Sequence, residues 1–110
     1  MAVIENMEII NWIEDWYLSQ CDGDWEHEFG VEISNCDNPG WNVKIDLRYT
    51  PYEDFTKEWE LVEKGENDWY GVKIENAVYD AAGDPKKLKF LLDGFREFVE
   101  TNKKLPPTKT

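Results

Sequence analysis

The chain has 110 residues, of which 41% are hydrophobic and 15% aromatic, which predicts one folded domain and excludes a disordered chain. Its 12 basic and 24 acidic residues give a formal net charge of −12, and residues 1–43 contain no Lys or Arg. This charge excludes nucleic acid and anionic membrane surfaces as ligands, because binding to phosphate requires a basic surface. A basic protein is the partner that such a charge favours.

The first element is predicted to be a helix over residues 3–19. Apolar residues at Ile9, Ile13 and Trp16 recur at the spacing of one helical face, and an Asp-Gly turn follows. The first eight residues lack the basic and apolar regions of a signal peptide, so we expect a cytoplasmic protein with reduced cysteines.

A strand is predicted over residues 25–34, because polar and apolar residues alternate there. Its odd positions are apolar apart from His27, which we expect to be partly buried and bonded to a neighbouring carboxylate. Its even positions continue the acidic line that begins at Asp24, with Glu26 and Glu28 facing solvent.

Turn-forming residues at 35–40 join this strand to a second alternating strand over residues 41–49. Pairing Ile33 with Val43 places the apolar side chains of both strands on one face. The same register gives three further pairs: Val31 with Ile45, Glu32 with Lys44, and Glu28 with Arg48.

Two more strands are predicted over residues 55–63 and 68–75, joined by a hairpin loop at residues 64–67. A short strand around residues 77–79 would be the fifth. In the fourth strand, Trp69 is out of phase with the apolar positions, so it is the candidate for an exposed aromatic residue at a contact.

The last element is predicted to be an amphipathic helix that ends near Thr101. Asp84 and Pro85 supply an N-cap and a first-turn proline, and apolar residues from Leu88 to Val99 follow the helical period.

The order of the elements predicts an α+β fold, with an N-terminal helix, a four- to five-stranded antiparallel sheet and a C-terminal helix. We expect the helices to cover one face of the sheet. Residues 1–101 form a single domain in this prediction, and residues 102–110 form a flexible basic tail.

The acidic stretch does not match a known metal site. Asp22, Asp24 and Glu26 begin like a calcium loop, but its sixth and twelfth positions hold His27 and Ile33 in place of Gly and Glu. One histidine and two cysteines also fall short of a zinc site. We expect no metal, no cofactor and no catalytic residue.

Three groups of motifs carry a family resemblance. They are the run from Trp16 to His27 that includes Gln-Cys-Asp-Gly-Asp-Trp-Glu, the run Asp37-Asn38-Pro39-Gly40-Trp41, and Asp68-Trp69 with Gly83-Asp84-Pro85-x-x-Leu88. In this order they resemble the immunity protein 53 family of bacterial polymorphic toxin systems. The resemblance extends to about Thr101.

This resemblance implies an α+β immunity protein, not an enzyme, that acts in the cytoplasm and covers the active cleft of a toxin domain. The acidic first half favours a basic toxin such as a nuclease, and the oligomeric state stays open. The residues expected to contact the toxin are Asp22, Asp24, Glu26, Glu28, Asp68 and Trp69. Structural roles are expected for Trp16, Cys21, Gly23, Trp25, His27, Gly40 and Trp41.

Two alternatives remain open from the sequence. In the first, Cys21 is the nucleophile of a small enzyme such as a sulfur transferase, with His27 as its base. The strand pattern supplies no evident loop of backbone amides around this cysteine. In the second, the chain is an acidic adaptor without a toxin partner.

Overall fold

The computed structural model describes residues 2–103, with side chains from residue 8 onward. The elements of this part of the chain are α1 (Ala2–Gln20), α2 (Trp25–Glu28), β1 (Val31–Cys36), β2 (Gly40–Asp46), β3 (Lys57–Gly65), β4 (Asp68–Glu75), β5 (Val78–Gly83) and α3 (Leu88–Thr101). The predicted α+β fold, with a helix before and after an antiparallel sheet, is confirmed.

The strand order of the sheet is β1-β2-β5-β4-β3, and each neighbouring pair is antiparallel. β5 is the central strand, because it pairs with β2 on one side and with β4 on the other. Tyr79 of β5 accordingly lies between Ile45 and Ile74. The short fifth strand of the prediction is therefore present, and it is longer than expected. β1 and β3 form the two edges.

The register predicted for the first hairpin is confirmed between β1 and β2. The predicted pairs that the sheet contains are Ile33 with Val43, Val31 with Ile45, and Glu32 with Lys44. A charged cross-strand pair contributes only about 0.2–1 kcal/mol. The register is set mainly by the need to keep the apolar side chains on one face, because a slip of one residue would move them all to the other.

The two long helices pack on one face of the sheet and share a core with it. Phe95 of α3 is fully buried, and its ring lies 5.0 Å from Trp16 of α1 and 5.0 Å from Tyr79 of β5. Further buried members of this core are Ile9, Val43, Ile45, Leu47, Ile74, Ala81, Leu91, Leu92 and Val99. Burying each large apolar side chain stabilises the fold by about 1.5–3 kcal/mol.

The structure corrects the start of the first strand. Residues 25–28 form a helical turn, and β1 begins at Val31. Four alternating residues fit one helical turn as well as they fit a strand, so the pattern was ambiguous. Side chains of Asp22 and Glu26 accept the N–H groups at the start of the turn, and the ring of Trp25 is buried.

Three predictions fail with that strand segment. Glu28 lies in α2 and does not pair with Arg48 across a hairpin. His27 is exposed, because the helical turn directs it away from the core. Asp24, Glu26 and Glu28 do not form a line along one face of a strand.

The entry to α3 also differs from the prediction. The helix begins at Leu88, so Asp84 is not its N-cap and Pro85 is not in its first turn. Asp84 is instead 1% exposed and accepts the N–H of Lys86 at 2.9 Å, which forms a separate turn before the helix. The end of the helix at Thr101 is confirmed.

The predicted tail over residues 102–110 falls mostly outside the described residues, which end at Lys103. Asn102 Nδ2 donates to the carbonyl oxygen of Phe98 at 2.9 Å and so closes the last turn of α3. The flexibility of the tail and the domain boundary at residue 101 stay predictions.

Candidate partner-binding site

The loop between α1 and α2 is held by its own carboxylates. Asp22 Oδ1 accepts hydrogen bonds from the backbone N–H groups of Asp24 and Trp25, both at 3.0 Å. The carboxylate of Glu26 accepts the N–H of Asp22 at 3.0 Å and that of Gly23 at 2.9 Å. This arrangement resembles a capping box, in which two side chains reciprocally satisfy the N–H groups at a helix start. The N–H groups of Trp25 and Asp24 also lower the pKa of Asp22.

Trp25 attaches this loop to the body of the protein. Its ring is buried and lies 6.2 Å from the ring of Trp16, at a steep angle. Its Nε1 donates to the carbonyl oxygen of Arg48 at 2.8 Å, just beyond the end of β2. The packing of Trp25 on Trp16 and its hydrogen bond to Arg48 attach the acidic loop to α1 and to the end of β2.

Two carboxylates of the stretch remain available to a partner. Asp24 and Glu28 are exposed, and the ion pairs formed among the described residues involve neither of them. Together with Asp22, Gln20 and Tyr49 they border a shallow pocket of about 180 Å³. We call Asp22, Asp24, Glu28 and Tyr49 the acidic corner.

Tyr49 is a member of this site that the sequence pattern placed wrongly. The alternation puts it on the inward face of the second strand, but β2 ends at Asp46. Tyr49 is 76% exposed, has a φ of 64° and lies 5.9 Å, ring to ring, from Phe29. The Thr50-Pro51 pair that follows Tyr49 could have indicated that the strand ends earlier, because X-Pro pairs are common in turns.

The second predicted contact patch, Asp68 and Trp69, is tied into the fold. Lys87 Nζ lies 2.7 Å from Asp68 Oδ1 and 2.6 Å from the buried carboxylate of Asp84. The backbone N–H of Trp69 donates to Asp84 at 3.0 Å. The hydrogen bond from Lys87 is the main reason that the pKa of Asp84 falls to about 2. The carboxylates of Asp68 and Asp84 in turn raise the pKa of Lys87.

Trp69 is half-buried, so it is not the exposed aromatic residue that its phase suggested. Its ring packs on Gly40, where an added Cβ would lie 3.2 Å from the ring and 2.3 Å from the carbonyl oxygen of Gly83. Trp41 Nε1 donates to the carbonyl oxygen of Pro85 at 2.9 Å. Gly40 and Trp41 therefore join the strands to the turn before α3.

The two predicted patches lie at opposite ends of the sheet. Trp25 is bonded to Arg48 beyond the end of β2, whereas Trp69 packs on Gly40 at its start. Strand β2 has seven residues, and an extended strand of that length spans roughly 20 Å. The structure thus gathers the carboxylates of the α1–α2 loop into one site and leaves Asp68 far from it.

A family model described as immunity protein 53 matches residues 10–100. The chain belongs to the immunity protein 53 family. The resemblance seen in the motifs is thereby confirmed, and membership gives the chain an immunity role with a toxin as its partner. No curated protein and no solved structure matches the chain.

The cysteines of this immunity protein are both free thiols. Cys21 Sγ donates to the carbonyl oxygen of Tyr17 at 3.3 Å, so the thiol closes the end of α1. The neighbouring Cys21 raises the pKa of the Tyr17 hydroxyl. Proteins of this family are generally not enzymes.

None of the helices within residues 2–103 of this immunity protein combines the length and apolar character that a membrane crossing needs. Over the same residues, no group of three or more His, Cys, Asp or Glu side chains is arranged to hold a metal ion.

Proposed function

We propose that this immunity protein neutralises a basic toxin domain of the nuclease type by covering its active cleft with the acidic corner. The protein acts in the cytoplasm of the cell that produces the toxin. Family membership supports the toxin partner, and the charge of the corner supports the basic character of that partner. A nuclease fits because an enzyme that cuts nucleic acid needs a basic cleft to bind phosphates.

The observation that carries this proposal is the presence of free carboxylates at an exposed site. Asp24 and Glu28 are exposed and lie outside every ion pair of the described residues. No Lys or Arg occurs in residues 1–43, and the exposed Arg48 beside Tyr49 forms no ion pair with either carboxylate. Such a field attracts a basic surface and speeds the encounter.

The corner is also suited to a tight contact. Asp22 and Glu26 fix the loop backbone through four hydrogen bonds, so little conformational freedom is lost when a partner binds. Tyr49 adds an exposed aromatic ring, which is the residue type enriched at the centre of interfaces.

Asp68 and Trp69 enter the proposal as outer contacts of the same toxin. An interface of standard size covers about 800 Å² on each partner, which is wide enough to reach both ends of the sheet. Asp68 already forms an ion pair with Lys87, and Trp69 is half-buried. We therefore expect substitutions at these two residues to weaken toxin binding less than substitutions at the acidic corner.

The test uses the toxin domain encoded by the neighbouring reading frame. Co-expression of the immunity protein should restore growth of cells that produce this domain. The double variant Asp24→Lys/Glu28→Lys should associate with the domain at least about tenfold more slowly at low salt, with a weaker dependence on salt concentration.

The matched control is Glu58→Lys/Glu97→Lys, which changes the net charge equally. Both residues are exposed, Glu58 lies on the opposite edge strand β3, and Glu97 borders the same groove as Lys57 of that strand. At about 0.1 M salt, where the Debye length of about 10 Å confines each charge to its own surroundings, we expect this control to associate within about twofold of wild type. Equal slowing by both double variants would place the contact elsewhere, and a failure to restore growth would reject the toxin partner.

A further inference from the structure

The two edges of the sheet differ in how well they are protected. Strand β3 is charged and irregular: it carries Lys57, Glu58, Glu60, Glu63 and Lys64, and its register against β4 shifts at two places. Strand β1 has a single charged residue, Glu32, and pairs with β2 in continuous register. Charges and bulges are the devices that keep an edge from pairing with another chain. Strand β1 has only one such charge and no bulge.

The outer side of β1 presents backbone groups to solvent. Asp46 N–H donates to the carbonyl oxygen of Gly30 at 3.1 Å, which makes Gly30 and Asp46 a hydrogen-bonded pair. Because such pairs alternate along an antiparallel ladder, the N–H and C=O groups of Val31, Ile33 and Asn35 point away from β2. Within residues 2–103, no strand pairs with that side of β1.

An apolar groove runs beside this edge. It lies between α1 and β1, has a volume of about 320 Å³ and is lined by Ile13, Glu14, Tyr17, Gly30 and Val31. Ile33 follows Val31 on the same face of β1 and is 44% exposed. A further strand at this edge would place every second side chain over the groove and would bury it.

The acidic residues around β1 favour a basic polypeptide as the partner that binds this edge. Glu32 lies on the other face of β1, Glu28 precedes the strand, and Glu14 lines the groove. A second copy would bring two segments together that each carry ten acidic residues and no Lys or Arg in residues 1–43. A basic partner removes this repulsion.

We infer that β1 takes up a strand of the toxin domain as the sixth strand of the sheet. The incoming strand alternates apolar side chains, which enter the groove beside Ile33, with Lys or Arg side chains, which face Glu32. Main-chain hydrogen bonds to β1 supply affinity, and the two faces supply specificity. This inference rests on the proposed function, and the edge is continuous with the acidic corner through Glu28 and Phe29.

Amide hydrogen exchange measured by NMR tests the inference without any substitution. The protein is compared alone and in complex with the toxin domain from the neighbouring reading frame. In the complex, we expect the outward amides of Val31, Ile33 and Asn35 to exchange at least about tenfold more slowly. The inward amides of the strand already bond to β2 and serve as the internal control.

Two variants of Ile33 provide the second test. Ile33→Pro removes an outward N–H without touching the ladder to β2, and Ile33→Lys places a cation where the basic strand would dock. Each should weaken the complex about tenfold or more. The control is Leu61→Lys on β3, because Leu61 is 48% exposed and also lies on an edge strand. It should change the affinity less than about twofold.

The outcomes separate this inference from the proposed function. If the complex forms and growth is restored, but the outward amides exchange as fast as in the free protein, strand addition is wrong and the immunity mechanism stands. If those amides are slow in the free protein and the protein is a dimer, a second copy occupies the edge and the inference is overturned. If no complex forms, both proposals fall.

Discussion

The carboxylate of Glu26 accepts the backbone N–H of Asp22 at 3.0 Å, and the carboxylate of Asp22 accepts the N–H of Trp25, which begins the helical turn that contains Glu26, also at 3.0 Å. This exchange divides the acidic stretch into two kinds of residue. Asp22 and Glu26 shape the loop, whereas Asp24 and Glu28 point to solvent. Part of the carboxylate density in this stretch therefore serves folding.

Replacing Glu26 should destabilise the protein more than replacing Glu28. Glu26→Ala leaves the N–H groups of Asp22 and Gly23 without their acceptor, and loss of a capping interaction costs about 1 kcal/mol. Glu28→Ala should stay within about 0.5 kcal/mol of wild type. Urea denaturation of both variants measures the difference, and equal midpoints would contradict the capping role.

Tyr49 should contribute to toxin binding and not to stability. Its positive φ is strained for a non-glycine residue by about 1–2 kcal/mol. Tyr49→Gly removes this strain, and the larger entropy of the unfolded glycine chain offsets about 0.5–1 kcal/mol of the gain. We expect an unchanged or slightly higher melting temperature together with an affinity for the toxin domain about tenfold lower. A clear loss of stability would show that the ring has a structural role.

Gly40 should tolerate no side chain. An added Cβ would lie 2.3 Å from the carbonyl oxygen of Gly83, which belongs to the central strand. Gly40→Ala should therefore lower the free energy of unfolding by about 2–3 kcal/mol. Gly65→Ala is the matched control, because nothing lies within 4 Å of its added Cβ. Chemical denaturation of the two variants tests the contrast, and similar values for both would refute it.

The ion pair between Asp84 and Lys87 should make the free energy of unfolding depend on pH in the acid range. The pKa of Asp84 falls from 3.8 to about 2 on folding, mainly because of the hydrogen bond from Lys87. The charged carboxylate therefore stabilises the fold at pH values above about 4, and this stabilisation is lost as the pH falls from about 4 toward 2. Asp84→Asn should be less stable than wild type at pH 7 and should lose less between pH 4 and pH 2. Thermal denaturation between pH 2 and pH 4 measures how the melting temperature of each protein depends on pH. The same dependence in wild type and Asp84→Asn would exclude Asp84 as the cause of the acid sensitivity.

The first hairpin shows why its register was predictable. Alternation over several residues on both strands excludes every pairing that would separate Val31, Ile33, Val43 and Ile45 onto different faces. The information is local, because the turn at residues 37–39 fixes which residues meet. The amphipathic helix from Leu88 was equally clear, because its apolar residues follow one period over 14 residues.

The acidic corner was only partly predictable. Asp22, Asp24 and Glu28 were expected to contact the toxin, and the structure gathers them at one pocket. Tyr49 was missed because the alternating strand predicted over residues 41–49 continues past the true end of β2 at Asp46. The helical turn at residues 25–28 was missed because its stability comes from capping side chains and from burial of Trp25 against α1, not from its own period.

The sequence by itself determined the family, the α+β class, the two long helices and the pairing of β1 with β2, because each depends on motifs, periodicity or a short turn. The tertiary structure decided the strand order, in which β5 lies between β2 and β4, since non-local burial of Tyr79 and Ala81 selects it. It also decided which carboxylates are free and which edge of the sheet is open. Those outcomes depend on contacts between segments that are distant along the chain, and no local pattern records them.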